Sequence, residues 1–406
     1  MTASTTSTAA DLKIATRDEG EFQILNFGPA QPIMHGALRL KLRLDGETIV
    51  ASRMEIGYLH RCFEKMAEQQ TWNTVIPFTD RLNYCSSVMN NLGWCKAIED
   101  WMGIEVPARA QAIRVFFNEM HRIMDHCVCL GPGLVDLGAL TNLWYLFTVR
   151  EMAYTMIEHA CGSRLTTSYL RIGGVAFDLH KTFWKEAGEF LTKGPKFIDD
   201  VRRLIERNRI FIERTRDVGA VSKEDAIAWG WTGPCARASG VNYDVRKARP
   251  YHGYDQLDFD IPVAENGDSY DRYWVRLEEI TQSFRIMRQV LDHLPEGPIM
   301  THDRRVALPP KKETYGNIES LMNHFKLVFE GIQVPRGEWY SYTEGANGEL
   351  GFFCVSDGGG NPYRVKVRPP CFAVAQAIEH IVVGHMVPDL TAIIGSLNII
   401  AGELDR

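Results

Sequence analysis

The 406-residue chain contains no CxxC pair, and its nine cysteines, at 62, 85, 95, 127, 129, 161, 235, 354 and 371, follow no framework spacing. A disulfide-stapled scaffold is excluded and a reducing compartment is expected. The nearest approach to a thiolate motif is CxC at 127 and 129, too little to hold a metal cluster within this chain. Lys- or Arg-rich blocks are absent and the net charge is -6, which excludes nucleic acid as a partner. There is no uncharged apolar run of membrane-spanning length: residues 371–390 are interrupted by Glu379, His380, His385 and Asp389. Docking onto a membrane stays open. No GxGxxG follows a strand pattern, no GxSxG is present, and the glycines at 358–360 lack the Lys-Ser/Thr and helix start of a phosphate loop. The first 20 residues are small and polar without a basic start, so 1–21 reads as a mobile tail rather than a secretory signal.

What remains is globular material, 45% apolar and 24% charged, enough for one or two domains. Residues 22–52 alternate apolar and polar positions around Asp45-Gly46, which predicts a β-hairpin region. The two prolines and two glycines just before it place His35-Gly36 on an irregular loop. From about 53 to 215 the period becomes helical, as in Ile113, Phe116, Phe117, Met120, Met124 and Cys127. Further helices are expected over 141–161, 184–211 and 275–294, which together suggest a bundle. Residues 351–368 read as two strands joined by a glycine-rich turn, with Arg364, Lys366 and Arg368 on one face. The expected organisation is α+β, mainly α: a β-hairpin region over 22–52, then a helical core over 53–406 ending in a C-terminal β-hairpin.

Two groups of residues are candidates for chemistry. NEMHRIMDHCVC, residues 118–129, crowds Glu119, His121, Asp125, His126, Cys127 and Cys129 together, but neither HExxH nor ExxH is present, so it reads as a polar helix face (His121, Asp125) beside a buried one. The second group is polar residues on loops or helix ends: His35, the run His60-Arg61, Tyr84 after Arg81, and Asp136 between two helical segments. A tyrosine hydroxyl and an imidazolium can together give protons to a carbonyl under reduction, and an aspartate orients the imidazole and raises its pKa. Spacing alone does not assemble this set, and each member taken singly also reads as structural.

The strings GPxxPxxHGxLRL (28–40), GYLHRxxEK (57–65), GPGLVDLGALT (131–141), YLRIGGV (169–175), RASGVNYDVRK (237–247), GELGFFxVSDGG (348–359), PYRVKVRPP (362–370) and GELDR (402–406) resemble the 49 kDa, or D, subunit family of bacterial NADH-quinone oxidoreductase, respiratory complex I. That family is related to the large subunits of nickel-iron hydrogenases, which implies a hydrogenase-like helical bundle core. In the hydrogenase register Asn83, Ser86, Ile400 and Glu403 stand where four metal-binding thiolates would be, and Cys85 falls between them. An amide, a hydroxyl, an aliphatic chain and one carboxylate cannot hold nickel and iron. The resemblance implies that this pocket instead ends a quinone channel against the neighbouring B subunit, which carries the terminal [4Fe-4S] cluster. Tyr84 and His35 match the pair that hydrogen-bonds the quinone headgroup, Asp136 the acid paired with the histidine, and His60-Arg61, with Arg81 and Arg171, quinone-pocket or cluster-proximal positions. The B, C and I subunits and the membrane-embedded H subunit are the implied partners. The resemblance also implies NADH as the electron source, through flavin, and a peripheral location on the cytoplasmic face of a bacterial inner membrane. The alternatives are a large subunit of a related hydrogenase or ferredoxin-driven complex, or a catalytically silent scaffold in one.

Two segments depart from the family. Ala30-Gln31 replace Gln-His, removing one of two loop histidines, and Thr166 stands where a histidine is associated with pH dependence of the cluster potential. Thr166 cannot gain a proton on reduction. The expected result of a redox titration of the cluster signal in the assembled complex is therefore a potential nearly constant between pH 6 and 8. A slope of about 60 mV per pH unit, the one-electron, one-proton value, would contradict it.

Overall fold

The computed structural model describes residues 22–31 and 33–406; the expected tail over 1–21 lies outside the described residues. The N-terminal region forms a three-stranded antiparallel sheet, β1 (Gln23–Phe27), β2 (Arg39–Asp45) and β3 (Thr48–Glu55), in the order β1-β2-β3. The expected hairpin is β2–β3, which starts its pairing at Asp45↔Thr48, and Gly46 adopts the φ of +59° that the tight turn requires. Along β2 the leucines alternate inward: Leu40, Leu42 and Leu44 are buried while Arg39, Lys41 and Arg43 are not.

The helical core is built around α2 (Ala108–Asp136), which packs against α1 (Ser87–Met102), α3 (Leu140–Cys161), α5 (Ser269–Asp292) and α6 (Asp389–Leu397); α4 (Phe183–Glu206) lies on α3 and α5. Helix α2 is buried on every side from Ile113 to Leu130, as the axis of a bundle must be. The sequence pattern expects it to end before Gly131-Pro132-Gly133, with Asp136 between helices. The helix instead runs through that segment to Asp136. The glycines permit close approach: a Cβ at Gly133 would lie 2.4 Å from the Tyr273 hydroxyl of α5, and one at Gly131 2.9 Å from Leu143 of α3. Packing on two neighbouring helices outweighs the single backbone hydrogen bond that Pro132 removes.

The expected helix over 184–211 is α4 followed by a separate short helix, Arg209–Thr215, which restarts where the Asn208 side chain accepts from the N–H groups of Ile210 and Phe211. Two further strands, β4 (Leu170–Arg171) and β5 (Gly174–Val175), form a short antiparallel pair. At the C-terminal end β7 (Glu349–Ser356) and β8 (Arg364–Arg368) pair as expected, and β6 (Gly337–Glu344), which the sequence pattern does not reveal, joins them in the order β6-β7-β8. This sheet packs on α1. Two buried apolar clusters result. The larger joins α1 to α5 with the C-terminal sheet; the smaller joins the N-terminal sheet to α6, helix Pro370–Gln376 and the terminal helix α7 (Ala401–Asp405). No helix of the described residues is long and apolar enough to cross a membrane.

Candidate functional site

Three segments far apart in sequence meet where the two clusters join. The loop at His35 bridges Ile400 in parallel: His35 N–H donates to the Ile399 carbonyl at 3.3 Å, and the His35 carbonyl accepts from Ala401 N–H at 2.8 Å. The Tyr84 hydroxyl donates to the same His35 carbonyl at 2.8 Å. Two glycines make this approach possible. A Cβ at Gly36, with φ of +121°, would lie 2.2 Å from the Ala401 Cβ, and one at Gly402 would lie 2.7 Å from the carbonyls of Arg81 and Leu82 and 3.3 Å from the Tyr84 ring. Both chain ends of the site are thereby clamped onto the loop that carries Tyr84.

Burial raises the Tyr84 hydroxyl well above its usual range; the neighbouring Cys85 and Cys371 act in the same sense, and Arg61 opposes them. The group stays protonated at physiological pH. His35 is lowered by burial, against the charge of Asp125 and a ring hydrogen bond to the Val128 backbone, which both raise it. Asp125 is thus a carboxylate whose charge reaches His35. Asp136 sits half-buried at the end of α2, two turns or about 12 Å beyond Val128 along the helix axis, and burial alone raises it.

Asp125 was legible as a polar position, but it lies on no solvated face: it is 1% exposed, and its two oxygens accept from the amides of Asn83 and Asn398, each at 2.8 Å. His121 and His126 are buried as well, His126 against Glu279 at 2.8 Å. Asn398 donates onward to Asn347 at 2.6 Å, Asn347 to the Cys371 thiol at 3.5 Å, and Cys371 donates to Glu403 through its N–H at 3.3 Å and its thiol at 3.4 Å. The four positions of the hydrogenase register thus enclose one buried polar group. Asn83 and Glu403 lie at its two ends, Ile400 backs His35, and the buried Ser86 hydroxyl has no hydrogen-bond partner among the described residues. Among these residues no group of three His, Cys, Asp or Glu side chains is arranged to hold a metal ion. Nothing local in the sequence marks Asn347 or Cys371, and Asn398 stands out only as the residue in place of the aspartate of the hydrogenase Asp-Pro pattern; only the folded chain brings the three together.

His60, Arg61 and Arg81 form an exposed rim beside Tyr84. The Arg61 guanidinium donates to the Arg81 carbonyl, and Asp405 fastens the loop by accepting from Gly57 and Leu59 N–H at 2.9 and 2.8 Å while its own carbonyl meets the His60 ring at 2.7 Å. Arg61 is lowered by burial first and then by the like charge of Arg81. Arg171 turns its guanidinium onto the carbonyls of Ser168 and Leu170. Sequence reasoning missed Asp80, the fully buried neighbour of Arg81. It accepts from Asn91 at 2.8 Å and from Ser168 through its N–H at 3.0 Å and its hydroxyl at 2.5 Å, which holds Ser168 at a φ of +42°. Burial pushes the Asp80 carboxyl up to about 6.

The family model for the 49 kDa subunit of respiratory-chain NADH dehydrogenase matches residues 136–406, two thirds of the chain. The chain belongs to the 49 kDa (D) subunit family of NADH-quinone oxidoreductase. Members are similar to it over nearly the full length: the NADH-quinone oxidoreductase D subunit of Myxococcus xanthus is 49% identical over 94% of this chain and 92% of its own. The D 1 subunit of Sorangium cellulosum is 50% identical over 95% and 96%. The C/D subunit of Bdellovibrio bacteriovorus is 54% identical over 94% of this chain, which spans 68% of that longer protein. As a family member the chain is one component of a multi-subunit oxidoreductase complex, and its fold, mainly α with small antiparallel sheets near both ends, agrees with the sequence expectation.

Proposed function

We propose that this component of NADH-quinone oxidoreductase forms the headgroup end of the quinone site, closed by the B subunit, and supplies the protons for quinone reduction. The observation that carries the reading is the hydrogen bond of the Tyr84 hydroxyl to the His35 carbonyl at 2.8 Å, beside a buried carboxylate that accepts amide hydrogen bonds and has no ion-pair partner among the described residues. A polar pocket of this kind, rimmed by Arg61 and Arg81, suits a ligand that gains negative charge during the reaction.

In this reading the electrons would come from NADH through flavin and the clusters of other subunits, with the terminal [4Fe-4S] cluster of the B subunit as the donor next to this site. This chain positions the headgroup and holds the protons. Tyr84, raised by burial, gives up its proton only to a strongly basic acceptor, which a quinone oxygen becomes once two electrons are on the ring. His35 gives the second proton: burial lowers it, the Asp125 charge opposes that and favours its protonated form, and Asp136, the acid that the family resemblance pairs with it, stands two helical turns further along α2. His60, Arg61, Arg81 and Arg171 lie toward the B subunit, where positive charge stabilises a reduced cluster. The B, C, I and H subunits are the partners, and the protein works at the cytoplasmic face of the bacterial inner membrane as a peripheral component. A photoreactive short-chain quinone analogue on the assembled complex is expected to label peptides containing residues 33–36 or 81–85. Labelling confined to other segments would remove the reading.

A further inference from the structure

Glu403 is a buried acid beside Tyr84 that this proton chemistry leaves unused. It lies on α7, is 2% exposed, and no ion pair reaches it from any described residue. The groups facing it come from four elements. Cys371, on helix Pro370–Gln376, offers a backbone N–H at 3.3 Å and a weak thiol donor at 3.4 Å. Asn347, on the β6–β7 turn, offers its amide, Asp125 of α2 adds a negative charge, and Cys85 lies close on the Tyr84 loop. Guanidiniums around the pocket are engaged elsewhere: Arg406 stacks on Phe372 at 4.9 Å, Arg61 faces Tyr84 and the Arg81 carbonyl, and Arg150, which acts on Cys85, lies over the Phe147 and Tyr154 rings. A carboxylate out of water, with long hydrogen bonds, no cation and a second anion nearby, favours its neutral form.

Asp125 differs in the decisive respect, because two short amide hydrogen bonds stabilise its charge. The two acids are joined through Asn398 and Asn347. Side-chain amides orient neighbours but do not shuttle protons, so the coupling across this bridge is electrostatic. The Tyr84 ring rests against Gly402, the residue before Glu403, and its hydroxyl feels both Asp125 and Cys371, the residue that donates to Glu403.

Building on the quinone reading above, we infer that Glu403 is a positioning residue for quinone reduction, a carboxyl that has to stay protonated so that Asp125 remains the single buried anion of the pocket while Tyr84 releases its proton. In that step the Tyr84 O–H bond breaks, an O–H bond forms on the quinone oxygen reduced by electrons from NADH, and negative charge stays on the tyrosine oxygen. A carboxylate at Glu403 adds a second negative charge to the low-dielectric pocket in which the tyrosinate forms and so opposes it. Burial pushes Glu403 up to about 7, so the opposing charge grows in as pH rises through neutrality and is absent on the acid side.

The test is the pH profile of NADH:quinone reduction by the assembled complex carrying Glu403→Gln, with NADH:ferricyanide reduction as the control for assembly. The wild type is expected to lose about threefold or more between pH 6.5 and 8.5, while Glu403→Gln, permanently neutral and nearly the same shape, keeps its rate within about 1.5-fold over that range. Cys371→Ser replaces a weak donor by a stronger one to the carboxylate and is expected to move the wild-type alkaline limb to lower pH. Superimposable limbs in wild type and Glu403→Gln overturn the inference. If Glu403→Gln fails to assemble, Cys371→Ser decides, and an unmoved limb overturns it. Unchanged quinone reduction in Tyr84→Phe sinks the quinone reading itself, a different failure from a working Tyr84 whose pH profile ignores Glu403.

Discussion

Membranes carrying Tyr84→Phe are expected to reduce short-chain quinone with NADH at least tenfold more slowly than wild type while reducing ferricyanide, which accepts electrons upstream, at the wild-type rate. The structural cost of the substitution is small. The His35 carbonyl loses the Tyr84 hydroxyl but keeps the Ala401 N–H at 2.8 Å, so the loss is that of one ordinary hydrogen bond, about 1 kcal/mol. The ring still packs on Gly402. Assembly and the upstream half-reaction therefore survive, and a tenfold fall, equivalent to about 1.4 kcal/mol of transition-state stabilisation, reports chemistry at the quinone. A larger fall is expected if the hydroxyl proton is the one transferred, since phenylalanine has none to give. Equal rates in both assays would return Tyr84 to a core role in which its hydroxyl merely ties down the His35 loop.

The parts of this site that were legible in the sequence are those whose chemistry is local. His35 on an irregular loop, the hairpin at Asp45-Gly46 and the alternating β8 face each follow from a few adjacent residues. Arg364 and Lys366 illustrate the limit. Their shared outward face was predictable, but their partners, Glu68 and Glu64, lie about 300 positions away. The same holds for the carboxylate beside His35. Asp125 has the sequence surroundings of a polar helix face, and only the arrival of Asn83 and Asn398 from two other segments makes it a buried anion. Asp136 looked like a loop residue because Gly131-Pro132-Gly133 is a strong breaker in isolation; the Tyr273 and Leu143 side chains packed onto those glycines keep the helix going. Strand β6 was missed for a related reason: it is completed by pairing with β7 and by packing on α1, and carries no clean two-residue alternation of its own.

Arg237→Met is expected to have the largest effect on the stability of the protein. Arg237 is fully buried and donates to Glu279 through Nε at 2.9 Å and Nη2 at 2.8 Å, to Glu344 at 2.9 Å and to the Tyr243 carbonyl at 2.9 Å, with Asp244 at 3.5 Å. Burial works to raise the Glu279 carboxyl, but the charge of Arg237 and the hydrogen bond from His126 override it and hold it well below the usual range. Glu344 is raised by burial and by Asp244, with Arg237, Arg122 and Arg246 opposing. Removing Arg237 leaves three acids in the core with less positive charge among them, a loss of about 3–5 kcal/mol. The exposed Arg285, which pairs with Asp258 and Asp260 on the surface, provides the contrast: Arg285→Met is expected to cost about 0–1 kcal/mol. The measurement is the temperature at which the purified complex loses half its NADH:ferricyanide activity together with retention of this polypeptide, compared across the two variants. Adding Glu279→Gln to Arg237→Met removes one of the stranded charges and is expected to recover part of the loss, because the penalty comes from uncompensated acids rather than from missing contacts. Equal behaviour of the two single variants would mean that Arg122 and Arg246, which already reach the same acids, suffice to neutralise the cluster without Arg237.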